Sequence, residues 1–310
     1  MKILIPNTIE LKLETDAEVV VYDVRTPMPE QHRDAEVLVA WHNSAEQLAD
    51  AARTMPALRL VQALASGADV VLNAGFGPDV RICSGRSLHD GPVAEHALAL
   101  ILSAVRRLDR LQGAQHAHRW DAEFIADQAA TATRDLYTLA GATVTIWGFG
   151  SIAARLAPLL QLLGAEVHGI ARFAGERAGV PVVAKRDAGA LLGRTDVLVS
   201  LLPATADTAE VFDSSVFASV KPGAVFVNVG RGATVDEGAL IAALESGRIR
   251  AAAIDVTQTE PLPADSPLWD APNLVITPHV AGNRPVGSSA LIDENVRRLL
   301  AGEELVNRVR

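Results

Sequence analysis

Thr143-Val144-Thr145-Ile146-Trp147-Gly148-Phe149-Gly150-Ser151-Ile152-Ala153, running on into Ala154 to Leu163, is the stretch from which the rest of the chain is read. A short run of β-branched and aromatic residues predicts a strand, the glycines a tight turn, and the apolar periodicity after them a helix. In such a unit Gly148 permits the turn and Gly150 lets a pyrophosphate approach the backbone. The helix start at Ser151 and Ile152 offers free N–H groups and a favourable dipole. Ala153 holds the third place, where a small residue suffices. A bare three-residue glycine pattern often marks only a turn, and it is the flanking strand and helix that make this one a nucleotide site.

Outward from this unit, short apolar strands alternate with amphipathic helices, the signature of doubly wound parallel sheets in an α/β protein. Before it, strands are expected at Lys2 to Ile5, Val19 to Tyr22, Val37 to Trp41, Leu58 to Ala63 and Val80 to Cys83, with a helix over Ala45 to Arg53. After it, strands are expected at Glu166 to Ala171, Val197 to Leu202, Ala224 to Val229, Ala251 to Val256 and Leu274 to Thr277, with a helix over Asp236 to Glu245. A long helix is predicted from Val93 to about Leu111, behind Gly91-Pro92. It is apolar nearly all round, which implies burial on several sides and suggests an oligomer. The polar segment from Gln112 to Leu139 is expected to wrap over the surface. Two domains follow: residues 1–98 with 285–310, and residues 99–284 between them.

Composition narrows the function classes. The 310 residues are 49% hydrophobic and carry 28 basic against 37 acidic side chains, a formal charge of −9 that repels a phosphate backbone in the absence of a local basic patch, so nucleic acid is not an expected partner. The single cysteine, Cys83, forms no internal disulfide, and Met1 to Pro6 is too short an apolar run for a signal peptide, so a cytoplasmic home is expected. No apolar run has the length of a membrane-spanning helix.

The strand Glu166 to Ala171 ends where dinucleotide enzymes commonly place an acid for the ribose hydroxyls, but here Ala171 and Arg172 follow. A guanidinium able to grip a phosphate, with no carboxylate to repel one, favours NADP; were Arg172 an ordinary surface charge, NAD would serve as well. Binding in open parallel sheets occurs at the carboxyl ends of strands. Pro203-Ala204-Thr205, Asp255, Gly230-Arg231-Gly232, Thr257 to Glu260 and Pro278-His279 therefore gather at one crevice. Pro203, Thr205 and Asp255 are assigned to the cofactor. An imidazole, a carboxylate and a guanidinium beside a nucleotide suit reduction of a 2-oxo acid, where a carbonyl oxygen gains a proton as C2 gains a hydride. Metal binding is not expected, because His279 lacks a neighbouring ligand and His116-Ala117-His118 has the wrong spacing for one helix face.

Leu202-Pro203, Val227-Asn228-Val229-Gly230-Arg231-Gly232, Asp255-Val256, Glu260-Pro261-Leu262-Pro263, Ser266-Pro267-Leu268-Trp269 and Thr277-Pro278-His279-Val280-Ala281 resemble the motifs of the D-isomer-specific 2-hydroxyacid dehydrogenases, and among them the glyoxylate/hydroxypyruvate reductases. The resemblance implies a flavodoxin-like substrate domain and a Rossmann cofactor domain, closing on one another around the substrate, and a homodimer formed through the cofactor domains. It implies His279 as general acid/base, Glu260 as its partner and Arg231 as substrate clamp. It also implies that Ser66 and Gly67, in Ala65-Ser66-Gly67-Ala68-Asp69, present backbone N–H groups to the substrate carboxylate, and that Trp41 shapes the substrate side-chain pocket; Arg284, shortly after His279, is expected to meet a polar or charged substrate tail. Two departures stand out: Ala153 for the usual third glycine, and Ala171-Arg172 for the usual acid. Ending at Arg310, the chain is expected to lack the regulatory domain of many phosphoglycerate dehydrogenases. Two alternatives remain: an NAD-dependent 3-phosphoglycerate dehydrogenase, with Arg284 or a nearby cation on the phosphate, and a cofactor-sensing protein like the transcriptional corepressors that resemble this family.

Overall fold

The computed structural model describes all residues 1–310 and divides them into two compact units, residues 1–89 with 283–310, and residues 90–282. In the first unit, strands β1 (Lys2–Pro6), β2 (Glu18–Tyr22), β3 (Val37–Ala40), β4 (Leu60–Ala63) and β5 (Arg81–Cys83) form one parallel sheet in the order β2-β1-β3-β4-β5. Side chains alternate across a strand. Leu4, Leu38, Val61 and Ile82 therefore pack on one face with Leu48 and Ala51 of helix α1 (Ala45–Thr54). Ile3, Val37, Val39 and Leu60 pack on the other. Ser44 starts α1 by accepting the Gln47 N–H at 3.1 Å, satisfying one of the four donors a helix start leaves open. A single-turn helix α2 (Asp69–Leu72) follows the Ser66-Gly67 loop.

The second unit opens with α3 (Asp90–Arg106), which starts earlier and stops sooner than the sequence suggested. Arg107 adopts a left-handed conformation (φ 55°) and breaks the helix, and α4 (Leu108–His116) and α5 (Ala122–Ala129) resume at new angles within the segment expected to wrap the surface. The buried side chains of α3, from Val93 to Val105, all join the core of this unit, so the whole helix belongs to it and the division falls at His89/Asp90, ahead of residue 98 inside the helix. The return crossing falls at Gly282/Asn283, just ahead of the 284/285 boundary.

The strands of the second unit are β6 (Thr143–Trp147), β7 (Glu166–Ala171), β8 (Gly175–Arg177), β9 (Val180–Ala184), β10 (Val197–Ser200), β11 (Ala224–Asn228), β12 (Ile249–Ile254) and β13 (Leu274–Ile276). Their order is β13-β12-β11-β10-β6-β7-β9-β8, all parallel but for the β8–β9 hairpin. Around them stand α6 (Ser151–Leu162), α7 (Gly189–Leu192), α8 (Ser214–Ser219) and α9 (Glu237–Glu245). Val144, Ile146, Val197, Val199, Val225 and Val227 face α3 and α6. Leu198, Phe226 and Ile254 face the opposite layer, where Phe212 and Phe217 each pack 5.2 Å from the Phe226 ring. The chain runs outward from β6 through β7 to β9, then returns to β10 on the other side of β6. This reversal leaves a crevice at the carboxyl ends of β6 and β10, the place where open α/β sheets bind nucleotides. The last helix, α10 (Ser288–Ala301), returns to the first unit and packs Ile292, Val296 and Leu299 against its sheet. No helix is long and apolar enough to cross a membrane.

Candidate active site

The glycine turn stands at that crevice. Gly148 has φ 101°, and a Cβ there would lie 2.7 Å from the Leu201 carbonyl carbon and oxygen, so both its dihedral and the close backbone of the β10 loop exclude a side chain. Phe149 turns inward and is buried, its ring filling the space beside Gly169 on β7. Gly150 precedes the first residue of α6, and a Cβ there would meet nothing within 4 Å. The helix start has no side-chain cap. Open space over Gly150 and uncapped N–H groups at Ser151 and Ile152 fit a pyrophosphate group. Ala153 is fully buried against the sheet, which accounts for a small residue in the third place.

Beyond β7, Arg172 is exposed and faces Asp207 across the crevice at 3.8 Å. Arg177, on the β8–β9 hairpin that sequence reading missed, donates from Nη1 to the Phe149 carbonyl at 2.9 Å and from Nη2 to the Phe173 carbonyl at 3.2 Å, tying the hairpin to the glycine turn. In the β10 loop, Thr208 Oγ1 donates to the Pro203 carbonyl (2.6 Å) and accepts from the Thr205 N–H (2.9 Å), fixing both cofactor candidates in one turn.

The catalytic candidates lie after three adjacent strands, β11, β12 and β13, in register at their carboxyl ends. Buried Asn228 accepts the Gly230 N–H (3.0 Å) and donates to the Arg231 carbonyl (3.2 Å), shaping the loop that carries Arg231. The two glycines beside Arg231 are required by close approach. A Cβ on Gly230 would stand 2.6 Å from the Leu202 carbonyl oxygen, and one on Gly232 only 1.9 Å from the Thr257 carbonyl carbon. Arg231 itself donates from Nη1 to the Gly230 carbonyl at 2.8 Å.

Thr257 leads to the acid. Its N–H donates to Glu260 Oε1 at 3.1 Å, and Glu260 Oε2 lies 2.6 Å from His279 Nδ1. This hydrogen bond fixes the imidazole plane and leaves Nε2 as the ring nitrogen available for other chemistry. His279 is half-exposed and, with Glu260, lines a pocket of about 510 Å³ whose other walls include Pro261, Leu262, Trp269 and Ile276. Its backbone is left-handed (φ 53°), and its N–H donates to the Asp255 carbonyl at 2.8 Å.

Asp255, assigned to the cofactor from the sequence, lines the same pocket; it is 1% exposed and both its oxygens make hydrogen bonds within the protein. Oδ1 accepts from the Thr277 hydroxyl (2.5 Å) and the Val280 N–H (3.0 Å), and Oδ2 accepts from the Ala281 N–H (3.0 Å). The carboxylate thus holds the backbone on either side of His279. His96 of α3 approaches the same group, with Nε2 3.1 Å from Thr277 Oγ1 and 3.4 Å from Asp255 Oδ1.

The remaining candidates belong to the first unit. Ser66 and Gly67 are exposed in the loop between β4 and α2. The start of that loop is held by the Gly85 N–H donating to Ala65 O (2.7 Å) and by His89 Nε2 at 2.8 Å from Leu64 O. Trp41 stacks on His42 with ring centroids 4.4 Å apart, and His42 Nε2 lies 3.1 Å from Asn283 Oδ1. Arg284 follows in the same segment. His116 and His118 are exposed, and no group of three or more His, Cys, Asp or Glu side chains converges as a metal ion would need.

Residues 98–281 match the family described as D-isomer specific 2-hydroxyacid dehydrogenase, NAD binding domain. The chain belongs to that family. This dehydrogenase is 31% identical over 287 residues to glyoxylate/hydroxypyruvate reductase A of Escherichia fergusonii, covering 90% of its own length and 87% of the relative's. It is 32% identical over 256 residues to D-3-phosphoglycerate dehydrogenase of Mycobacterium leprae, covering 80% of this chain but 46% of that one. Among solved structures it is similar to NADPH-dependent glyoxylate/hydroxypyruvate reductase of Sinorhizobium meliloti in complex with NADP and sulfate, with a TM-score of 0.80 and 27% identity over 99% and 97% of the two chains. The dehydrogenase is an oxidoreductase acting on a small molecule, and its second unit is the nicotinamide-dinucleotide-binding domain.

Proposed function

We propose that this dehydrogenase uses NADP(H) to reduce small 2-oxo acids of the glyoxylate and hydroxypyruvate type to D-2-hydroxy acids. The observation that carries this reading is the 2.6 Å pair of His279 and Glu260 one loop away from Arg231, at the carboxyl ends of adjacent strands. When bound, the dinucleotide supplies a hydride to C2 of the substrate. His279, held by Glu260 through Nδ1, presents Nε2–H to the carbonyl oxygen and delivers the proton that oxygen gains. The Glu260 carboxylate stabilises the charged imidazole. Arg231 pairs with the substrate carboxylate and with the oxygen on which negative charge grows, an interaction stronger at the transition state than in the ground state. The N–H groups of Ser66 and Gly67 receive the substrate carboxylate, while Trp41 and Arg284 border its far end.

Gly148, Gly150, Ser151 and Ile152 hold the pyrophosphate, with Pro203 and Thr205 lining the nicotinamide end. Preference for NADP rests on Arg172, which follows β7 where the usual ribose-binding acid is replaced by Ala171, and is supported by the NADP bound in the Sinorhizobium meliloti relative. Arg172 faces Asp207 only at 3.8 Å, and both are exposed, so the guanidinium is available to a phosphate. Two copies are proposed to associate through the cofactor units, where Leu108, Trp120 and Ile125 leave exposed apolar surface on and between α4 and α5.

The test is a panel of 2-oxo acids, including glyoxylate, hydroxypyruvate and 3-phosphohydroxypyruvate, assayed with NADPH and NADH for the wild type and Arg172→Ala. Highest kcat/KM for the small unphosphorylated acids with NADPH, and loss of the NADPH preference in the variant, is the expected result. Turnover confined to the phosphorylated acid, or an unchanged cofactor ratio, contradicts it.

A further inference from the structure

We propose that His96 is a positioning residue for the reaction: through Thr277 and Asp255 it fixes the backbone that aims His279. This rests on the reading of His279 as the proton donor.

The argument follows the protons. Asp255 is buried, and each of its carboxylate oxygens accepts a backbone N–H, so it stands in the network as an acceptor. The 2.5 Å contact with Thr277 therefore has the hydroxyl donating to the carboxylate. Having donated its one proton, Thr277 Oγ1 can only accept from His96, so the His96 tautomer carries its hydrogen on Nε2, 3.1 Å away. A continuous chain results: His96 Nε2–H to Thr277, Thr277 to Asp255, and Asp255 to the Val280 and Ala281 N–H groups.

Thr277 stands two residues before His279, and Val280 directly after it. The histidine lies in a left-handed conformation (φ 53°) that non-glycine residues adopt uncommonly. The network holds it there from both sides. His96 is its outermost member, anchoring it to α3, a 17-residue helix whose buried face lies in the core of the unit. A donor at this position is needed to keep the Thr277 hydroxyl turned toward Asp255. Glutamine, whose amide nitrogen also donates, can take the place of the imidazole; leucine cannot.

The test uses full-length His96→Leu, His96→Gln and Thr277→Val. Steady-state kinetics with NADPH and the best 2-oxo acid should show kcat reduced about tenfold or more in His96→Leu and Thr277→Val, with KM for the substrate within about twofold, since misplacement of the reacting group by about 1 Å costs up to roughly a hundredfold in rate. His96→Gln should recover most of kcat, and the His96→Leu/Thr277→Val double variant should be no worse than either alone. In parallel, imidazole ¹H–¹⁵N spectra read the geometry without turnover. Wild-type His96 should carry a proton on Nε2, and the His279 signals should shift in His96→Leu and return in His96→Gln. If the His279 signals ignore His96→Leu, or if His96 carries no proton on Nε2, the proposal is overturned whatever the activity. Normal His279 responses in a protein that turns over no 2-oxo acid would instead refute the functional reading and leave the positioning role standing.

Discussion

Replacing Gly232 by alanine tests how closely the loops bearing Arg231 and Glu260 are keyed together. The added Cβ would stand 1.9 Å from the carbonyl carbon and oxygen of Thr257 and 2.6 Å from the Gln258 nitrogen, all backbone atoms that no rotamer change can move. Carbon contacts settle near 3.5 Å, so the loops after β11 and β12 must part by about 1.5 Å. Overpacking of this kind costs about 1–3 kcal/mol. For a unit of this size that lowers Tm by roughly 2–12 °C. The displacement also pulls Arg231 away from Glu260 and His279, and a shift of about 1 Å in reacting groups costs on the order of a hundredfold in kcat/KM. Differential scanning fluorimetry and steady-state kinetics read the two effects separately. Gly150→Ala is the matched control: its Cβ meets nothing within 4 Å and its φ of −109° suits alanine, so Tm should hold while KM for the dinucleotide rises. A Gly232→Ala protein with wild-type Tm and kcat/KM would refute this account of the site's construction.

Two further predictions concern groups away from the chemistry. Burial pushes the Cys83 thiol up to about 11, so native protein at pH 8 should resist iodoacetamide for hours while guanidinium-unfolded protein is alkylated promptly; rapid native labelling would contradict its placement. Glu294 on α10 is held down to about 2 by hydrogen bonds from Arg297 and Arg298. A carboxylate with a lowered folded value stabilises fully above its ordinary 4.5 and loses that effect as pH falls toward 2, so the Tm advantage of wild type over Glu294→Gln should be present at pH 6 and vanish near pH 2. An advantage that grew with acidification would have the wrong sign.

The strands were legible because a strand buried on both faces of a parallel sheet must be a short continuous apolar run, as at Val197 to Ser200 and Ala224 to Asn228. The glycines at 148, 230 and 232 were legible as turns, but the reason for them, carbonyl groups of neighbouring loops, exists only in three dimensions. The β8–β9 hairpin was missed because Gly175-Glu176-Arg177 is an exposed edge strand without apolar alternation, and its turn uses Ala178 at φ 50° beside Gly179. Nothing local to Arg107 announces its left-handed backbone. The apolar girth of α3 invited a partner subunit, whereas much of it is covered by α6 and the strands of its own unit. The internal bonds of Asp255 were not legible, because the Val280 and Ala281 N–H groups that meet its oxygens lie twenty-five and twenty-six residues further on. The pairing of His96 with Thr277 could not be named from a separation of 181 positions.

The central claim is that His279 donates the proton to a 2-oxo acid. Its most direct test is kcat/KM for glyoxylate at saturating NADPH in wild type and His279→Ala, with NADPH affinity measured by nucleotide fluorescence. Loss of roughly 10²–10⁴-fold in kcat/KM with unchanged NADPH affinity is predicted. A variant that reduces glyoxylate at the wild-type rate would contradict it.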